Sequence, residues 1–192
     1  MAPLLQRAQQ LAERRLPSLT RYRRAEKLPI ELHRRRIYIV PTGFGLGFSV
    51  LLLVMLVGAL NYANNAALLL TCLLGAASAA SMLVAFRDLD GLRLGHIRAG
   101  HAVAGQPIEL TLAFDSSRVR QAIRVELGRD ATAFAIEAGA VVHLKLMMPT
   151  TRRGWQPLAR LRVWSSWPLG LFRAWSWLHP EQAVLVWPRP EE

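Results

Sequence analysis

Residues 37–86 contain no Asp, Glu, Lys, Arg or His, a gap of fifty consecutive positions. That absence excludes an ordinary soluble surface for the stretch, because water does not tolerate a contiguous apolar face of that extent. Cysteine is almost missing. Cys72 stands alone, which rules out a disulfide or a cysteine metal cluster within one chain. Acidic residues are few, 13 against 24 Lys and Arg, leaving a formal net charge of +11. The first long apolar tract begins near residue 43 and carries no small-residue cleavage site, so it does not read as a secretory signal.

As a single helix the uncharged run would reach roughly 75 Å at ~1.5 Å per residue, more than twice a hydrocarbon core of about 30 Å. It must fold back, and the polar cluster Asn61, Tyr62, Asn64 and Asn65 marks the turn. The pattern predicts two transmembrane helices, residues 43–60 and 66–86, forming a hairpin; a hairpin buried inside a soluble protein is the alternative. The entry, IVPTGFGLGF, invites a nucleotide reading that fails on spacing. A dinucleotide site needs G-x-G-x-x-G with an acidic residue about twenty positions later, and a P-loop needs Gly-Lys. Here the spacing is G-x-G-x-G, no acidic residue follows before Asp88, and no lysine is near. Gly43, Gly45, Gly47, Gly58 and Gly75, with Ala76, Ala79 and Ala80, are expected to let the spans pack closely.

Charge predicts the orientation. Residues 1–36 carry ten basic and three acidic side chains, and the 106 residues after Phe86 carry fourteen and ten. The positive-inside rule then places both chain ends on the cytoplasmic side. Within the tail, residues 3–16 suggest a short amphipathic helix, either interfacial or simply solvated. Arg21, Arg23, Arg24, Arg34, Arg35 and Arg36 are candidates for contact with anionic membrane lipid. Nucleic acid is not expected, since the basic tail has only Tyr22 interleaved and no recognisable nucleic-acid fold.

After Phe86 the period changes to two. Alternating runs at residues 92–98, 107–114, 123–127, 141–147, 158–164, 171–178 and 183–187 are bounded by Gly, Pro, Asp or Ser. About seven short strands with this spacing predict an all-β domain, an Ig-like β-sandwich. The organisation expected is a basic cytoplasmic tail (1–36), a transmembrane hairpin (37–86) and a cytoplasmic β domain (87–192).

Catalytic constellations are sparse. His96 and His101 would need Asp88 and Asp90 to make a metal site, and isolated histidines are more often ordinary surface residues. Ser165 and Ser166 lie outside any G-x-S-x-G elbow. No catalytic residue, metal or cofactor is expected. All six tryptophans follow residue 154. Trp175 and Trp177, two apart, would share a strand face. They suit either a core with an aromatic edge near headgroups or an exposed surface for a protein partner.

Several segments together resemble the domain-of-unknown-function-58 family of bacterial membrane proteins. They are RIYIVPTGFG from Arg36, the Asn61 to Asn65 cluster, and DLDGL from Asp88. Thr151-Arg152-Arg153-Gly154-Trp155, the run from Ser165 to Arg173 containing Pro168-Leu169-Gly170-Leu171-Phe172, and Val186-Trp187-Pro188 complete the set. The resemblance covers about residues 34–190 and implies a bacterial inner membrane protein acting beside a MoxR-type AAA+ ATPase and other membrane proteins of its operon. It implies no established reaction. Family members continue into a region related to von Willebrand A domains, and the present chain ends before it, so nothing of that region transfers. The expectation is a non-enzymatic membrane-anchored docking protein, with Pro168, Leu169, Gly170, Leu171, Phe172, Trp175 and Trp177 as the docking surface. A structural subunit assembled through its hairpin, and a non-catalytic part of an envelope-processing enzyme, are the rivals.

Overall fold

A computed structural model describes residues 25–188. Arg21, Arg23, Arg24 and the amphipathic stretch at residues 3–16 lie outside the described residues.

Two helices, α1 (Gly43–Asn61) and α2 (Asn65–Leu89), occupy the uncharged run. Each starts on a side-chain cap: the Thr42 hydroxyl oxygen accepts from the Gly45 N–H at 3.0 Å, and Asn64 Oδ1 from the Ala67 N–H at 3.0 Å. Such caps satisfy amide groups that have no partner within the helix. The chain reverses at Tyr62, Ala63 and Asn64, inside the polar cluster. Both helices are long and apolar enough to cross a membrane. Large apolar side chains, among them Phe44, Leu53, Val54, Leu69 and Leu73, stand exposed along them. The covered positions recur at steps of three and four residues: Phe48, Leu52, Met55 and Ala59 on α1, and Thr71, Leu74, Ser78, Ser81 and Ala85 on α2.

The glycines do not serve the expected purpose. A Cβ added at Gly47, Gly58 or Gly75 would meet nothing within 4 Å, and Ala76, Ala79 and Ala80 are exposed. Gly43 is exposed as well. Gly45 is different: its Cβ would come within 2.0 Å of the Leu171 carbonyl oxygen. Its contact is with the β region, not with α2.

Among the described residues eleven strands make that region. β1 (Ile30–Glu31) and β2 (Tyr38–Pro41) precede the helices. β3 (Arg93–Ala99), β4 (Ile108–Asp115), β5 (Arg120–Leu127), β6 (Asp130–Ile136) and β7 (Val141–Met148) follow them. β8 (Gly154–Pro157), β9 (Leu161–Ser165), β10 (Phe172–Leu178) and β11 (Ala183–Val186) complete the chain. One sheet has the order β1-β3-β4-β7, a second β2-β10-β9-β5-β6, and β8 pairs with β11 in a separate ribbon. Their pairings are antiparallel. Inward residues of both larger sheets, such as Leu110, Leu112 and Phe114 with Ile123, Val125, Val163 and Ala174, form one core. The Phe114 and Phe134 rings meet across it at 5.3 Å.

The boundary expected at residue 87 does not hold. β1 and β2, assigned by the sequence reading to tail and hairpin, are β-region strands, pairing with β3 and β10. The helical hairpin is therefore an insertion within the β fold. Two and four residues are too few for a period to register, which hides both strands from pattern reading.

Two junctions fix the hairpin to the sheets. At α1, the Thr42 N–H donates to the Leu171 carbonyl at 2.9 Å and the Thr42 hydroxyl to the Gly170 carbonyl at 2.6 Å. At α2, the guanidinium of Arg120, 2% exposed, donates to the carbonyls of Arg87, Asp88 and Asp90 at 3.0, 2.5 and 2.6 Å. Its Nε donates to Ser116 Oγ at 2.5 Å. A cation thus closes the negative end of α2 and occupies carbonyls that have no helical donor. Burial pulls the guanidinium below its ordinary value, opposed by Asp88, and arginine stays protonated nonetheless. Asp88 completes the junction: Oδ2 accepts from the Ser165 hydroxyl at 2.7 Å and Oδ1 from the Gln121 N–H at 3.2 Å.

Replacing Arg120 with Met leaves those carbonyls and Asp88 uncompensated, and is expected to cost about 3 kcal/mol or more. Gly45→Ala is expected to cost about 2 kcal/mol by forcing Leu171 away, with Gly58→Ala neutral or stabilising. Thermal unfolding in detergent, followed by the tryptophans of the β region, checks both.

Candidate docking surfaces

The outer face of the five-stranded sheet holds arginine and tryptophan in alternation. Along β10, Ala174, Ser176 and Leu178 are buried, so Arg173, Trp175 and Trp177 point the other way. Register places Trp175 between Tyr38 and Trp164, and Arg124 beside Trp164. The Arg173 and Arg124 guanidiniums lie 4.5 and 4.9 Å from the Trp164 ring centre, and Arg162 lies 5.6 Å from that of Trp175. The Trp164 indole N–H donates to Glu126 at 2.6 Å, and Arg162 pairs with the same carboxylate at 3.7 Å. Tyr38 packs on Trp175 at 5.1 Å and Trp177 meets Trp175 edge-on at 6.3 Å. Each such cation–ring contact contributes ~0.5–1 kcal/mol. Trp175 and Trp177 do share a face, as expected, but they are half-buried members of an internal lattice.

The loop between β9 and β10 is likewise engaged within the chain. Gly170 and Leu171 hold Thr42, Leu171 is 3% exposed, and Phe172 pairs with Pro41. Pro168 is half-buried. Of this docking candidate only Leu169, with the neighbouring Trp167, presents an exposed apolar side chain.

Two further exposed tryptophans lie on the ribbon. Trp155 is 74% exposed, against 9% for Trp164, and it faces Leu185 across the β8–β11 pair. Trp187 follows at the end of β11, itself exposed. Arg152 and Arg153 precede β8 and are also exposed. The ribbon is tied to the turn after β3: the Ala104 N–H donates to the Trp187 carbonyl and the Trp187 N–H to the Ala102 carbonyl, each at 2.9 Å. The buried Thr150 hydroxyl donates to the Gln106 carbonyl at 2.6 Å. That turn is at the end of β3 remote from α2. Two segments some thirty residues apart, TRRGW and VWP, are thereby brought onto one surface. Sequence reasoning missed the ribbon because β8 is four residues bounded by Gly154 and Pro157, although both tryptophans flanked by strand or arginine were visible.

The remaining candidates are dispersed. Arg34, Arg35 and Arg36 form a 3-10 turn before β2. Arg36 is not available to lipid, because both its terminal nitrogens donate to the Glu26 carboxylate. His96 lies 6.1 Å from His143, ring to ring, while Asp88 faces Ser165 and Asp90 faces Arg34. Among the described residues no three His, Cys, Asp or Glu side chains converge as metal ligands. Comparison of the chain with protein-family models, curated proteins and solved structures gives no match.

Proposed function

We propose that this protein is a membrane-anchored docking platform. The helical hairpin spans a bacterial inner membrane, and an Ig-like β-sandwich stands on its cytoplasmic side with both termini there. The ribbon offers its exposed tryptophans to a protein partner. The observation that carries this reading is the exposure of Trp155, Leu185 and Trp187 beside Arg152 and Arg153. Tryptophan and arginine dominate the energetic centres of protein interfaces. Two fixed junctions to the hairpin would hold that surface at a set distance from the bilayer. The resemblance of the sequence supplies the partner class, a MoxR-type AAA+ ATPase. No catalytic role is assigned to any side chain.

A second reading comes from the helices. Gly47, Gly58 and Gly75 have open space where a Cβ would stand, which leaves them free to admit a helix of another membrane subunit. On this reading the hairpin assembles a larger complex and the β region is its support.

Recovery of the protein from mildly solubilised native membranes through an N-terminal tag separates the two. Docking through the ribbon predicts an AAA+ ATPase in the recovered material, reduced at least about tenfold by Trp155→Ala with Trp187→Ala. Recovery unchanged in that double variant rejects the ribbon. Assembly through the hairpin instead predicts co-purifying membrane subunits that are lost when Gly47, Gly58 and Gly75 become leucine, while the β region unfolds at an unaltered temperature.

A further inference from the structure

We propose that the recess lined by His33, Arg34, Arg35, Arg36 and Asp90 binds a phosphate anion, carried by a phospholipid headgroup; the proposal rests on the membrane reading above. The recess has a volume of about 520 Å³, in the range of small-molecule sites.

Depth is the first support. Asp90 follows Phe86, the last residue of the uncharged run, by four positions, about 6 Å at ~1.5 Å per residue. Headgroups occupy roughly 5–8 Å on each side of the hydrocarbon core. The Gly91 N–H donates to the Leu32 carbonyl at 2.7 Å, so the 3-10 turn is held beside the end of α2 at that same depth.

Partner accounting is the second. Arg36 is neutralised by Glu26. Arg34 approaches Asp90 Oδ2 with Nε at 3.5 Å while its side chain stays 80% exposed. That contact leaves the two terminal nitrogens of Arg34 as a fork, the geometry that binds phosphate in two parallel hydrogen bonds. Arg35 is exposed and has no hydrogen-bond or ion-pair partner among the described residues. Asp90 acts as a positioning residue. Its own carbonyl is fixed by Arg120 at 2.6 Å, so Arg34 is referenced to the end of α2. The recess then offers the guanidiniums of Arg34 and Arg35, with exposed His33 also in its lining.

The full chain, reconstituted in vesicles of mixed phosphatidylcholine and phosphatidylglycerol and transferred to detergent, is examined by native mass spectrometry for retained lipid. Selective retention of phosphatidylglycerol is expected, falling about tenfold in Arg34→Gln/Arg35→Gln. Arg35→Gln alone should lower it without disturbing any internal contact. Arg35→Lys, which keeps the charge and loses the fork, should fall between, and Arg98→Gln on β3 should change nothing. Equal retention in wild type and the double glutamine variant overturns the proposal. If no lipid is retained but inorganic phosphate protects Arg35 from an arginine-modifying reagent, the anion is a soluble phosphate and the lipid source is rejected. If the chain does not enter vesicles at all, the membrane reading fails, and the lipid source with it.

Discussion

Everything in this structure is referenced to one buried arginine. Arg120 opens β5, and its guanidinium reaches the last carbonyls of α2. A buried charge is costly unless its donors are satisfied, and here they are: two carbonyls of α2, that of Asp90 just after it and a serine hydroxyl accept, with the Asp88 carboxylate close by. The interaction is therefore between a strand and a helix end, not between two side chains. It fixes where α2 stops, and Asp90 and Gly91 then turn the chain into β3. Because Gly91 in turn holds Leu32, the segment before the helices is set by the same contact.

The insertion of a hairpin into a β fold follows from that arrangement. A hairpin joined only by flexible ends would leave the sheets free to rotate beneath it. Here the chain enters α1 from β2, already paired along β10, and leaves α2 into β3, which lies between β1 and β4 in the other sheet. One helix is thus continuous with each sheet. The end of β9 and the loop after it then serve both: Ser165 bonds Asp88 at the foot of α2, while Gly170 and Leu171 bond Thr42 at the head of α1. The absence of a side chain at Gly45 is required by this contact, since a carbonyl oxygen occupies the place of its Cβ.

These relations set what could be read from the sequence. The helices were legible to within three residues at each end, because fifty uncharged positions and a polar turn admit few alternatives. Strands of seven or eight residues, such as β4 and β7, were legible through alternation. β6, with the run DATAFAI, was not, since alanine on its outer face blurs the contrast of period two. β1 and β2 were too short to register. The glycines show a deeper limit. Their enrichment was visible, but a glycine that meets a backbone carbonyl 126 positions later and one that faces open space look alike in a sequence. Similarly, Pro168, Leu169, Gly170, Leu171 and Phe172 stood out as a motif, and only coordinates distinguish a motif kept for an internal joint from one kept for a partner.

Arginine makes the same point in physical terms. The net charge of the chain invites a reading of its whole surface as basic, yet its arginines are in different electrostatic states. Arg120 is enclosed, Arg36 is neutralised by Glu26, and Arg124, Arg162 and Arg173 lie over indole rings. A guanidinium stacked on a ring has part of its hydration shell replaced by protein, so it has less to gain from an external anion. Arg34 and Arg35 at one end of the β region, and Arg152 and Arg153 at the other, keep exposed heads. The first pair stands in a recess beside the helix ends, the second beside exposed tryptophans at the remote end of β3. Equal charges in unequal surroundings suit different ligands: a compact anion where two exposed arginines line one recess, and a protein surface where apolar area accompanies the charge.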